Sequence, residues 1–311
     1  MKKDAFYYGT LIVFASFFLL IGFFIYDAWK TSRLASKPRS TQVEQTQERQ
    51  TGLRDFSRFN TIMTEDGSEM VVIPDGPFQM GSPAANGDLD EMPQHAVFLP
   101  AFSIDLKEVT QAQFSKFSVA TQYPMPVVPV FQEELSLITK PELPVVGVSW
   151  SAAKDYCQWA GKRLPTEAEW EKAAGGDQSF RWPWGNDFIE KAANLTGEED
   201  GYKFLAPPGR FEPGRSPYGL YDMAGNAAEW VADWYDADYY KNAPFKVPKG
   251  PETGKFRVYR GGSWNDSSVN ARVAKRFMAA QHQTSAVIGF RCAKDVTPGD
   301  AMKSSSTKTT P

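Results

Sequence analysis

Arg260-Gly261-Gly262-Ser263-Trp264-Asn265-Asp266, continued by Gly289-Phe290-Arg291-Cys292, is the stretch that decides how the chain is read. The glycine pair follows a strand-like run and breaks it. It lacks the helix start and the lysine of a phosphate-binding loop. Asn265-Asp266-Ser267 has the composition of a turn in which the Asp side chain caps its own backbone. The competing reading of Asp266 is chemical. With Ser263 and Arg272 near it in sequence, a carboxylate beside an arginine is a candidate for binding a polar ligand or taking a proton.

Outward from this stretch the chain is punctuated by Gly and Pro (24 and 22 residues) and is 14% aromatic. Together these favour a loop-rich, aromatic-packed fold over a helical bundle. A net charge of −3 gives no broad electrostatic case for nucleic-acid binding. Met70–Pro74 and Phe78–Gly81 read as short strands around the turn Asp75-Gly76-Pro77. Thr110-Gln111-Ala112-Gln113 and Thr166-Glu167-Ala168-Glu169 are capping boxes that predict helix starts. Ser149 can cap a helix that runs through Ala160 and stops at Gly161. Trp182, Trp184, Trp230, Trp234, Tyr235, Tyr239 and Tyr240 are either the core of an irregular domain or a recognition surface.

Ala5 to Tyr26 carries no charge, and at about 1.5 Å per residue it spans the roughly 30 Å hydrocarbon core of a bilayer. The flank Tyr26-Asp27-Ala28-Trp29-Lys30 is a poor cleavage site, so an anchor is favoured over a removed leader. The organisation read from the sequence is a short tail at 1–4, a transmembrane anchor at 5–29, a flexible linker at 30–58, a globular domain at 59–295 and a disordered tail at 296–311. Cys157 and Cys292 are the two cysteines. Their wide separation fits a disulfide in an oxidising compartment or two buried thiols, and neither belongs to a metal-binding pair.

Further motifs occur in one order: Ile73-Pro74-Asp75-Gly76-Pro77-Phe78-Gln79-Met80-Gly81, Glu108-Val109-Thr110, Pro144 to Trp150, Tyr156 to Glu171, Trp184-Gly185, Gly219 to Asn226, Glu229-Trp230, and then the opening stretch. Over most of residues 70–295 this series resembles the formylglycine-generating enzyme (sulfatase-modifying factor) family. The resemblance implies an α+β, irregular, loop-rich fold related to C-type lectins, here preceded by one transmembrane helix. It implies a Cys157–Cys292 disulfide. It also implies calcium, with Asn194, Leu195, Asp200 and Tyr202 matching one site and Asp222, Gly225, Ala227 and Glu229 a second. A hard cation taking carboxylate, amide and carbonyl oxygens can organise such loops.

The same resemblance removes the family's best-known chemistry. Active members hold copper(I) with two cysteines five residues apart, and those places are Asp266 and Ala271. Soft copper(I) prefers thiolates, and Ala271 has no ligand atom. Ser263 matches a substrate-facing serine, whereas the place of an active-site asparagine is Val287. The iron-dependent branches use three histidines, and this chain has His95 and His282. Neither copper nor iron is therefore expected.

The expected function is a non-catalytic accessory or scaffold subunit of a membrane or extracytoplasmic complex. The alternatives are a family enzyme with altered chemistry at Ser263, Asp266 and Arg272, and a lectin-like module for a peptide or glycan. The partners expected are the membrane and a protein, with no nucleic acid. Lys30, Arg33, Lys37 and Arg39 outnumber Lys2 and Lys3, so flanking charge alone places the domain in the cytoplasm. The disulfide implied by the resemblance argues for a periplasmic or other extracytoplasmic domain on a single-pass membrane protein, and that reading is preferred.

Overall fold

Thr110, Ser149 and Thr166 each cap a helix. The computed structural model describes residues 56, 59, 61–83, 87–128 and 137–296. Helix α1 (Gln111–Thr121) opens with a reciprocal cap: Gln113 N donates to Thr110 Oγ1 at 3.3 Å, and Thr110 N donates to Gln113 Oε1 at 2.9 Å. Helix α2 (Trp150–Trp159) starts on Ser149, whose Oγ accepts from Ala152 N. It stops before Gly161, whose φ of 69° suits a residue without a side chain. Helix α3 (Glu167–Gly175) repeats the reciprocal cap with Thr166 and Glu169. Each cap satisfies amides that the first turn leaves free, an effect of about 1 kcal/mol.

Among the described residues, ten short strands form three sheets. Strands β1 (Thr61–Met63), β2 (Glu69–Ile73), β5 (Phe102–Asp105) and β10 (Ala293–Asp295) lie antiparallel in the order β1-β2-β5-β10. Strands β3 (Gly76–Met80) and β4 (His95–Leu99) make a two-stranded sheet. Strands β6 (Ala228–Trp234), β7 (Phe256–Arg260), β8 (Phe277–Ala280) and β9 (Ile288–Gly289) form the third, in the order β8-β7-β6-β9 with β6 and β9 parallel. The predicted strands at 70–74 and 78–81 are β2 and β3.

Two of the four apolar clusters among the described residues hold these layers. Val71, Ile73, Phe78, Val97, Ile104 and Trp170 belong to one, between the first two sheets and α3. Phe114, Tyr156, Trp230 and Phe290 belong to the other, under α1 and α2. Each such side chain contributes about 2–3 kcal/mol on burial. Cys157 on α2 and Cys292, next to β10, are joined in a disulfide with Cα atoms 5.6 Å apart, and both are buried. Beside it, Lys162 Nζ lies 3.0 Å from Asp66 and 2.9 Å from Asp105, all three out of solvent.

The arginines of the opening stretch also belong to the interior. Arg260 on β7 donates to Glu167 at 2.9 Å and to Glu171. Arg291 donates to both carboxylate oxygens of Glu229 at 2.7 Å, and also to the carbonyls of Asp105 and Tyr221. Trp182, Trp184, Trp230 and Tyr240 are buried, and Trp234, Tyr235 and Tyr239 are partly so, which matches the core reading of the aromatic cluster. The expected anchor at 5–29, nearly all of the linker at 30–58 and the tail at 296–311 beyond Val296 lie outside the described residues. Among the described residues no helix is long and apolar enough to cross a membrane.

Candidate functional site

Strand β7 ends at Gly261-Gly262, where φ values of 93° and 68° turn the chain sharply. A side chain on Gly262 would stand 3.1 Å from Asn270 O and 3.2 Å from Ala271 Cα, so the bend and the 263–271 loop must close on one another. Ser263 and Ala271 are buried there, and Asp266 is partly so.

The Asp266 carboxylate is used within the loop. Its Oδ2 accepts from Ser263 Oγ at 2.6 Å and from Ser263 N at 3.1 Å, and its Oδ1 accepts from Asn270 Nδ2 at 3.2 Å. This is the turn-capping arrangement, with the serine hydroxyl and the carboxylate satisfying one another. Arg272 does not join them. Its guanidinium donates to Glu91 at 2.7 and 2.8 Å and lies 3.6 Å from Asp88. The proposed grouping of Ser263, Asp266 and Arg272 thus becomes a Ser263–Asp266 pair and a separate Arg272–Glu91 pair. A carboxylate held by a hydroxyl and an alanine methyl do not fit copper(I), which takes soft sulfur ligands.

The loop is wired to the first set of candidate calcium ligands. Thr196 N donates to Asp266 O at 2.9 Å, and Trp264 N donates to Asn226 O at 2.9 Å. Asn194 is fully buried, and its Nδ2 donates to Phe204 O at 2.7 Å and to Asn226 Oδ1 at 3.0 Å. Its Oδ1 is buried without a partner. Asp200 accepts from Leu195 N at 3.0 Å and from Tyr202 N at 2.9 Å, which gathers all four candidates onto one loop. An unused amide oxygen beside a carboxylate-bearing loop fits a hard cation.

The second set is arranged differently. Asp222 and Asn226 flank a tight bend in left-handed backbone, with φ of 56° and 57°, a conformation their short polar side chains tolerate. Asp222 accepts from Gly209 N at 2.6 Å, while Glu229 is taken by Arg291 and by Trp170 Nε1 at 2.7 Å. Glu108 accepts from Ala227 N and Asn226 Nδ2, both at 3.0 Å. Burial, reinforced by the Asp222 and Glu229 charges, pushes the Glu108 carboxyl well up, and burial raises Asp222 to about 6. The excess negative charge suits a cation, but the Glu229 carboxylate is already engaged by a guanidinium. The first set therefore fits calcium better than the second.

Glu91 and Glu108 carry weight that the sequence reading did not assign to them. Glu108 stood in a recognised motif, Glu108-Val109-Thr110, but without a role. Glu91 had no local signal, since its partner lies 181 residues away.

The family described as "Sulfatase-modifying factor enzyme 1-like domain" matches residues 55–296. The formylglycine-generating enzyme of Thermomonospora curvata is 38% identical over 285 residues, covering 73% of this chain and 93% of that protein. A serine/threonine-protein kinase, pkn1, of Chlamydia pneumoniae is 38% identical over 245 residues. That alignment covers 74% of this chain, and the chain spans 38% of the length of the kinase. The "inactive C-alpha-formylglycine-generating enzyme 2" of Bos taurus is 35% identical over 277 residues, covering 72% of this chain and 87% of that protein. Among solved structures, PvdO from Pseudomonas aeruginosa superposes with a TM-score of 0.68 at 30% identity, covering 76% of this chain and 98% of PvdO.

Proposed function

The chain belongs to the sulfatase-modifying factor enzyme 1-like family, and from that premise we propose that it is a membrane-anchored, non-catalytic member that serves as an accessory or scaffold subunit. One observation carries the reading: Asp266, at the place of a copper-binding cysteine, accepts the Ser263 hydroxyl at 2.6 Å and the Asn270 amide at 3.2 Å. The residues that would have met copper and substrate instead cap a turn. Ala271 supplies only a methyl group, buried against the Gly261-Gly262 bend. That a relative in the same family is named inactive supports a fold kept without the oxidation.

The disulfide and the apolar segment at 5–26 support an extracytoplasmic domain held at the membrane. In this reading Asn194 and Asp200, with carbonyls of Leu195 and Tyr202, hold calcium. The ion, when bound, supplies fixed positive charge that neutralises the loop acids. The chain's own contribution is to hold the Asn194 amide in place through Phe204 O and Asn226. The altered-chemistry alternative has less support, because Arg272 is paired with Glu91 and not with Asp266.

Gentle detergent extraction of the native protein followed by a native mass tests the accessory role. A stoichiometric complex with a second protein is expected, and a chain recovered alone under every mild condition would overturn it.

A further inference from the structure

Behind the third sheet, Arg257 is held between two indoles, with its guanidinium carbon 3.6 Å from the Trp150 ring centre and 3.4 Å from that of Trp234. Its polar contacts are neutral: Nη1 donates to Ala232 O at 2.7 Å and Nη2 lies 3.5 Å from Gln281 Oε1, while Nε is buried without a partner. Burial lowers Arg257 to about 10, so it is still a cation at neutral pH. Among the described residues the guanidinium stands in no ion pair, and its hydrogen-bond partners are neutral.

Trp150 and Ala232 also line a surface cleft of about 570 Å³, together with Lys249 and with Lys154, whose Nζ lies 5.7 Å from the Trp150 ring centre. Both lysines are exposed, and among the described residues neither stands in an ion pair. Arg163, in the same cleft, is shared by two carboxylates, Glu169 at 2.7 Å and Asp295 at 2.5 Å, so the cleft as a whole keeps one excess positive charge. Leu164, Val247 and Pro100 add apolar wall. The indole of Trp150 is fixed by its Nε1 bond to Val231 O at 2.7 Å, so the floor is rigid.

We propose that this cleft docks an acidic peptide segment of a protein partner, with an apolar side chain against Trp150 and Val247 and its carboxylates at Lys154 and Lys249. The assignment rests on the accessory-subunit reading and names the chemistry of its partner. Charge complementarity is the argument: the cleft keeps one excess positive charge, carried by two exposed lysines outside any ion pair among the described residues, beside an apolar floor, and this favours an anion that also has an apolar part. A cleft of this volume is in the range that encloses a few side chains.

The test titrates the full-length chain, in neutral detergent, with the peptide acetyl-Leu-Asp-Leu-Asp-Leu-amide by calorimetry. Saturable binding is expected, lost when both Asp are replaced by Asn in the peptide. It should weaken about tenfold in the Lys154→Gln/Lys249→Gln variant, whose exposed substitutions leave the fold intact by circular dichroism. Equal binding of the Asn peptide, or an unchanged affinity in the double variant, overturns the proposal. So does binding of anionic lipid vesicles in place of the peptide. A native complex that keeps full partner occupancy in the double variant also overturns it, while leaving the accessory reading in place.

Discussion

Arg272 donates two hydrogen bonds to Glu91, at 2.7 and 2.8 Å, and so ties the segment after the 263–271 loop to a turn 181 residues earlier in the chain. Both side chains are nearly out of solvent. Truncating one partner leaves the other charge buried alone, which costs about 3–5 kcal/mol. Arg272→Gln is therefore expected to lower the urea unfolding free energy by that order, whereas an active-site arginine at the surface would alter ligand binding with little effect on stability. Equilibrium denaturation separates the two.

Asp266→Ala removes three hydrogen bonds within one loop and leaves the Ser263 hydroxyl without its acceptor. The expected loss is about 1–2 kcal/mol of stability, with occupancy of the proposed partner unchanged. A variant of native stability that no longer retains its partner would return Asp266 to a functional role.

Asp66 gives the fold an acid-sensitive component. Burial alone would raise its carboxyl, but the Thr64 hydroxyl and the Lys162 ammonium outweigh burial and hold it at about 2. A carboxyl depressed from its ordinary value of 3.8 stabilises the fold fully above that value and loses the contribution as the pH falls through 2. The stability gap between the wild type and Asp66→Asn should be roughly constant from pH 7 to 5 and close between pH 4 and 2. Urea midpoints measured across that range check it, and a gap independent of pH contradicts it.

Reducing the Cys157–Cys292 disulfide opens a closure of 135 residues. Loss of this constraint on the unfolded chain should cost roughly 2–4 kcal/mol. The bond is buried, so native protein should resist mild reductant and yield to it only in denaturant. Thiol titration with and without urea reads both.

Calcium is expected to raise the melting temperature, and Asn194→Ala or Asp200→Ala should abolish most of that rise. Glu229→Gln should instead destabilise the fold with or without the ion, because it leaves Arg291 buried without its carboxylate. Thermal scans of the three variants in chelator and in calcium distinguish the two candidate sets. An undiminished calcium shift in Asn194→Ala would remove the first set.

What the sequence showed and what it hid have separate physical causes. Thr110, Ser149 and Thr166 announce their helices because a cap and its amide lie within four residues, and β2 and β3 are separated by one turn. The motif order made the family readable, and with it the Cys157–Cys292 pairing. The candidate site was less legible. The turn at Asn265-Asp266 is local and could be read, but whether Asp266 turns toward Ser263 or toward Arg272 depends on Glu91, far away in sequence. The parallel pairing of β6 with β9 and the Lys162 bridges to Asp66 and Asp105 are likewise long-range. Periodicity and capping carry no information about which distant partner will be met.

The most direct test of the central claim is to incubate the purified chain with copper(I), dioxygen and a cysteine-containing peptide, and to follow the peptide by mass spectrometry. With a turn-capping Asp266 and a buried Ala271 in place of the thiolates, the peptide should be recovered with its thiol unchanged. Conversion of that cysteine to an aldehyde would contradict the account.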